Sequence, residues 1–398
     1  MKTCKSAPLV SVLALVMCVA GQAQAQAQAQ NVAATAPSVP PPILEAETSG
    51  TMTLPPATPH RLFLHAGDGF TIVNGDTAKV EGTINGNYGA VLAVSPDNSR
   101  FFVSESYWAR ENRGERVDLV SIYDGTSLLL TKEIKLPGRL IASGRMPFFS
   151  INASGDRGYV FNLEPASSVQ VVDLDRGKYV STIEIPGCGL IFPFRNEGFS
   201  SLCADGSLAT VMVNAKGTGE ITHSKPFFEA EVDPIFEESV VDRATGLAFF
   251  ISYTGKVYPV TLGREPMFAM SWSLQGAAGL PAAIGDVQIK TWRPGGRRPF
   301  AYHSASKTLY VLMHEGKHWS QKAPGTEVWS IDVTTQQING RFPLPTAGRV
   351  VGISQDASPL LYVAGDSDYL WILNPETGKI IRQVDELKRA NLIAVTGF

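Results

Sequence analysis

VQVVDLDRGKYVSTIEI, residues 169–185, is an apolar run that ends on Asp173, turns through Arg176 and Gly177, and climbs into a second β-rich run. Alternating apolar residues on both sides of an Asp/Gly turn read as two antiparallel strands joined by a tight hairpin. Working outward, the same pattern appears as FTIVNGDTAKVEGTI from Phe70, LVSIYDGTSLLLTKEI from Leu119 and LATVMVNAKGTGEI from Leu208. It continues as KVYPVTLGREPMFAM from Lys256, EVWSIDVTTQQINGRF from Glu327 and YLWILNPETGKIIRQV from Tyr369. The turn positions are Asn74, Asp124, Asp173, Asn214, Thr261, Asp332 and Asn374, at intervals of 50, 49, 41, 47, 71 and 42 residues. A second hairpin precedes several copies, as in LAVSPDNSRFFVSES from Leu92, SINASGDRGYVFN from Ser150, FAYHSASKTLYVLM from Phe300 and VGISQDASPLLYVAG from Val351. Four short strands per repeat, at this spacing, are the signature of a propeller blade. One blade cannot bury both faces of its sheet, whereas a closed ring can. The expected fold is therefore all-β, a seven-bladed β-propeller over residues 61–398, closed by pairing of the strand around Leu62 with strands near the C-terminus. The long interval holds Gly276 to Arg298, rich in Gly, Ala and Pro, and reads as an insertion on one rim.

The first residues read as an export signal over 1–25. Lys2 and Lys5 open it, Leu9 to Ala20 is an apolar run too short to span a bilayer, and Ala23-Gln24-Ala25 offers a cleavage site. Cys18 raises a rival lipoprotein reading, against which the bulky Met17 stands. Residues 26–60 carry an Ala/Gln tract and the Pro40–Pro42 cluster, and read as a flexible arm. The formal net charge is −3. A mildly acidic chain has no electrostatic footprint for nucleic acid, and no later stretch is apolar enough to cross a membrane. Removal of the signal leaves Cys188 and Cys203. An even pair in an exported chain favours a disulfide, two free buried thiols being the alternative. Such a bond across the hairpin IFPFRNEGFSSL stabilises by about 3 kcal/mol in the chain-entropy model.

His314-Glu315-Gly316-Lys317-His318 matches the H-E-x-x-H zinc-protease string letter for letter. That chemistry needs a helix to bring both imidazoles to one face beside the glutamate. Here the string follows a strand, carries Gly at its centre and precedes WSQKAPGTE, so a hairpin loop that scatters the histidines is expected. Glu229, Glu231, Asp233, Glu237 and Glu238 read as a solvated inter-strand loop without ion-binding spacing. Arg110, Arg113 and Arg116 alternate with Glu111, Glu115 and Asp118 and form a balanced cluster, not a phosphate clamp. The tryptophans, Trp108, Trp292, Trp329 and Trp371 among them, read as packing aromatics. No catalytic, cofactor-binding or metal-binding residue is expected on this chain.

Several segments resemble the heavy subunit of the tryptophan-tryptophylquinone amine dehydrogenases: RENRGERVDLVSIYD from Arg110, CGLIFPFRNEGFSSLCADG from Cys188, and GEITHSKPFF leading to SYTGKVYPVTL. TWRPGGRRPFAYH leading to LYVLMHEGKHW, and the final ISQDASPLLYVAGDSDYLWILNPETGKIIRQV, extend the likeness in the same order to the C-terminus. The resemblance implies a periplasmic heterotetramer of two heavy and two light chains, with tryptophan tryptophylquinone on the light chain. It further implies oxidation of a primary amine to aldehyde and ammonia, and electron transfer to a blue copper protein, amicyanin- or azurin-like. The loop His65-Ala-Gly-Asp-Gly69 is shorter than in the family and Phe70 is expected in the core, so no channel residue is carried over. Methylamine is the expected substrate, although VDPIF at Val232 and LMHEGKH lean towards aromatic amines. The competing function class is a free-standing propeller acting as a binding or scaffold module.

Overall fold

A computed structural model describes residues 53–66, 69–140, 144–365, 368–387 and 390–395. The expected signal over 1–25, and the arm up to residue 52, lie outside the described residues. The architecture is all-β, with a single short α-helix, Leu274–Ala277, among the described residues. No described helix is long and apolar enough to cross a membrane.

The first sheet joins the first and last described strands. Ala390–Val395 pairs with Arg61–Ala66, which pairs in turn with Gly69–Asn74 and then Lys79–Asn85. The closure expected around Leu62 is thus present, with Leu62 set against Val395 and fully buried. The next three sheets run Tyr88–Val94 to Leu130–Leu136, Phe149–Ile151 to Lys178–Glu184, and Cys188–Phe194 to Gly219–His223. The fifth builds from Val240–Asp242 through Leu247–Ile251 and Lys256–Thr261, which carries both Met267–Phe268 and Trp272–Ser273 on its outer side.

The expected count of seven separate blades needs correction. Five sheets are separate blades, and the sixth and seventh repeats are joined in one eight-stranded sheet. The cause is a 17-residue strand, Gln337–Ile353. Its first half pairs with Gly325–Asp332 and its second with Leu361–Gly365, and the two ladders meet on Gly348, which faces both Gly325 and Gly365. A glycine fits there because an added Cβ would come within 2.7 Å of Val363 Cγ1.

The turn residues that reveal the repeat have a local job. The side-chain oxygens of Asn74, Asp124, Asn214, Asp332 and Asn374 accept backbone N–H groups two to four residues ahead, and Asp173 accepts from Arg176 N. Such Asx turns satisfy amides that the hairpin leaves without ladder partners. Between sheets lie apolar layers. Phe102, Val120, Phe149 and Val172 fill one and Tyr159, Val171, Phe199 and Val211 the next. Tyr362, Leu370, Leu62 and Ile393 seal the last repeat to the first sheet. Each fully buried side chain of this kind contributes roughly 1.5–3 kcal/mol.

Candidate functional site

The first three residues of the H-E-x-x-H string, His314 to Gly316, end the strand Thr308–Gly316, and only Lys317 and His318 fall in the expected loop, so the string is not helical. Strand alternation sends neighbouring side chains to opposite faces. His314 is buried, while Glu315 is exposed and lies 3.1 Å from Lys290. Ser320 Oγ donates to Lys317 O at 2.6 Å, so at 2.9 Å it accepts from His314 Nε2–H. Burial, with the Arg293 guanidinium nearby, lowers the His314 pKa to about 4 and keeps the ring neutral. His318 is buried in the following turn against the Trp319 ring, 4.4 Å between centroids.

These residues form a clasp. Arg293 donates Nε to Gly316 O at 3.2 Å and Nη2 to Ile284 O at 2.7 Å, tying the rim insertion to the strand end. The insertion is more ordered than a plain loop. Gln275 donates to Thr254 O at 2.8 Å and Trp292 O at 2.7 Å, and Thr291–Pro294 returns as a strand against Met313–Gly316. The clasp displays Ile284, Val287 and Trp319, each at least half exposed. Trp319 also sits at φ 67°, a left-handed conformation uncommon for a bulky side chain.

From Trp319 a line of rings runs inward: Tyr253 at 6.1 Å, Phe236 4.9 Å beyond it, then Phe300 at 5.0 Å. Separately, a cavity of about 90 Å³ is lined by Phe149, Phe192, Glu238, Val240, Arg243 and Arg298 among others. At its edge Arg145 Nε lies 2.7 Å from Glu237, and Met146 N donates to Glu238 at 3.2 Å. Arg298 donates to Ile393 O. Burial pushes the Glu238 carboxyl up, against the pull of Arg298 and Arg145, and pushes the Arg298 guanidinium down, against Glu238. Burial likewise lowers Arg243 to about 10, opposed by Asp242. The loop expected to be solvated is therefore corrected at Glu238, which is 3% exposed; Glu229 and Glu231 are exposed as expected. The signal for Glu238 was its place two residues before an innermost strand.

Within the balanced cluster on the hairpin Arg100–Arg110 and Arg113–Asp124, Arg116 Nε donates to Asp118 at 2.9 Å. Trp329 and Trp371 are buried packing aromatics, and Phe70 is a core residue stacked on His65 at 4.8 Å. Cys188 and Cys203 are directly opposite in register and form the expected disulfide. Among the described residues they also supply, with His223, one group of potential ligand atoms within 4.8 Å of one another.

The sequence profile of the family described as methylamine dehydrogenase heavy chain (MADH) matches residues 59–397. The chain is 31% identical to the methylamine dehydrogenase heavy chain of Methylorubrum extorquens over 82% of its length and 78% of that protein's. It is 29% identical to the one from Methylobacillus flagellatus, over 77% and 76%. Among solved structures, a functionally unknown protein from Desulfotomaculum acetoxidans aligns with TM-score 0.55 at 13% identity, covering 84% of this chain and 98% of that one. Dihydro-heme d1 dehydrogenase NirN aligns with TM-score 0.52 at 13% identity, covering 83% and 64%. These two likenesses concern the fold alone.

Proposed function

Because the chain belongs to the methylamine dehydrogenase heavy chain family, we propose that it is the large, non-catalytic subunit of a periplasmic amine dehydrogenase. On this reading it holds a light chain that carries tryptophan tryptophylquinone, in a heterotetramer of two heavy and two light chains. The complex oxidises a primary amine, methylamine first, to aldehyde with release of ammonia. Its electrons pass to a blue copper protein of the amicyanin or azurin kind. The observation that carries the reading is the extent of the match, which spans residues 59–397 and so includes the connections between sheets as well as their strands. Ring packing alone requires no likeness in those connections.

The neighbouring rings of Trp292 and Trp329 do not suit a quinone of that kind. Trp292 and Trp329 have ring centroids 5.5 Å apart, but Arg341 lies over both rings at 4.6 and 4.7 Å. Trp329 is fully buried, and its Nε1 donates to Glu327 at 2.8 Å. Such a cation–π stack is a packing device closed to substrate, which supports placing the quinone on the partner. This chain's own share is a rigid surface. Trp319, Ile284 and Val287, held by the Arg293 clasp, offer the aromatic and aliphatic contacts that anchor protein interfaces.

The test is reconstitution. The chain expressed alone should show no amine-dependent reduction of a dye, because it offers no carbonyl electrophile. Co-expressed with its matured light chain, it should co-purify and support that reduction. A folded chain that neither binds the light chain nor supports activity would favour the free-standing scaffold reading instead. Comparing kcat/KM for methylamine and a phenylethylamine decides the substrate, and a large preference for the aromatic amine would overturn methylamine alone.

A further inference from the structure

The fourth sheet gathers three soft or borderline ligand side chains at one corner. Cys188 opens its first strand and Cys203 closes its second, directly opposite in register. His223 ends the fourth strand, Gly219–His223, and faces Ala209 of the third. Ala209 contributes only a methyl at that position, which leaves room for the imidazole to reach across. His223 Nε2 lies 3.9 Å from Cys188 Sγ, and all three ligand atoms fall within 4.8 Å of one another. The two sulfurs are buried, but His223 is exposed, so the corner opens to solvent on the imidazole side. Asp205 lies close by. Its carboxyl is held below the usual range by the Ser207 hydroxyl and N–H first, and also by the field of His223.

We propose that the Cys188–Cys203–His223 corner is a redox-gated metal site that takes a divalent zinc-class ion when the disulfide is reduced. In the oxidised chain each sulfur is committed to the other and has no thiolate to offer. A dithiol reductant supplies two electrons and two protons, becomes a cyclic disulfide itself, and leaves two cysteine thiols. The incoming ion then displaces both thiol protons to solvent and binds two thiolates and the His223 imidazole. Two sulfurs and one imidazole are the donor set of a zinc site with an open fourth position, which water completes. Thiolate donors select zinc over hard ions such as magnesium and calcium. Two antiparallel strands hold both cysteines and a third element of the same sheet holds the histidine, so the backbone brings the donors together before any ion arrives. The inference does not rest on the subunit reading and uses no amine chemistry.

The experiment uses the full chain in its oxidised form, and after treatment with a dithiol that is then removed anaerobically. Each form is titrated with cobalt(II), with zinc as competitor. The reduced chain should bind one cobalt, giving a thiolate-to-cobalt charge-transfer band and the intense visible bands of a tetrahedral site, both abolished by zinc. The oxidised chain should give neither. His223→Ala keeps the disulfide and hence the fold of the oxidised chain, and in the reduced state should weaken cobalt affinity by about tenfold or more. Circular dichroism of the reduced chain confirms that the sheet persists. Loss of the fold on reduction overturns the proposal. So does an unchanged cobalt affinity and spectrum in His223→Ala, which would mean that two free thiols suffice and the corner is not a built site.

Discussion

His60 is the latch of the ring, and its removal should matter most below neutral pH. Its Nδ1 lies 2.6 Å from Asp76 in the turn of the first sheet, and its Nε2 3.2 Å from Asp356 in the last repeat. Burial alone would lower the imidazole pKa, but the Asp76 hydrogen bond and the charges of Asp356 and Asp76 outweigh it and raise it above 6.5. A contact to a charged partner is worth about 1.5–3 kcal/mol when buried. Asp76 is 44% exposed and Asp356 21%, so screening reduces the two contacts to about 1–2 kcal/mol together. At this chain length that moves the thermal midpoint by about 1–3 °C. The sign follows from the raised pKa. The stabilisation is fully present below about pH 6.5, the unfolded value, and is lost as pH rises through the folded pKa. Asp356 sets the acid limit. Burial would raise it, but Ser354, the Ser358 N–H and His60 lower it, so its share is present above its unfolded pKa and disappears as pH falls through the folded one. The assay is a double-mutant cycle of His60→Ala and Asp356→Asn, followed by thermal unfolding at pH 6 and pH 9. The coupling should be about 1 kcal/mol at pH 6 and shrink at pH 9. An equal coupling at both pH values would refute the charged latch. The backbone contacts Gly75 N to His60 O and Tyr362 Oη to His60 O survive the substitution, so outright misfolding is not expected.

The other expectations are these. Replacing Cys188 and Cys203 together by Ser should lower stability by about 3 kcal/mol, read from denaturant midpoints, and an unchanged midpoint would contradict the chain-entropy estimate. Glu238→Gln should leave the thermal midpoint unchanged or raised at pH 8, because burial disfavours the carboxylate more than Arg298 and Arg145 favour it. That advantage should fade towards pH 4, where the wild-type carboxyl is protonated; a marked loss of stability at pH 8 would show the ion pairs to dominate. His314→Ala and His318→Ala should hold no zinc difference by metal analysis and should leave amine oxidation by the reconstituted complex within about twofold. Loss of stoichiometric zinc together with activity would restore the protease reading.

What the sequence made legible is what short-range chemistry decides. Asn74, Asp124, Asp332 and Asn374 announce the hairpin turns because their side chains satisfy the turn amides themselves. Cys188 and Cys203 announce their bond because the hairpin between them brings equal positions face to face. Thr261 shows the limit of that reading. It fills the turn position in the fifth sheet, where two short outer pieces replace one outer strand.

Sheet continuity and burial of charge were less accessible, and for different reasons. Pro343 and Pro345 punctuate the stretch before Gly348 and would normally end a ladder, yet Glu327 pairs with Pro343 and the strand runs on to Ile353. The two ladders meet on Gly348, and no periodicity in the sequence reports that the strand runs unbroken through it. Glu238 fails differently. In the sequence it is one acid among Glu229, Glu231, Asp233 and Glu237. Only ring closure places it beside Arg145 and Arg298, guanidiniums that reach it from remote repeats. His314 completes the argument from the opposite direction, since its letters match a metal motif while its strand position buries it against Arg293 and turns Glu315 away. A residue's chemistry is therefore readable from its neighbours in sequence only when those neighbours are also its neighbours in space. In this ring that condition holds within hairpins and ends where one sheet packs on the next.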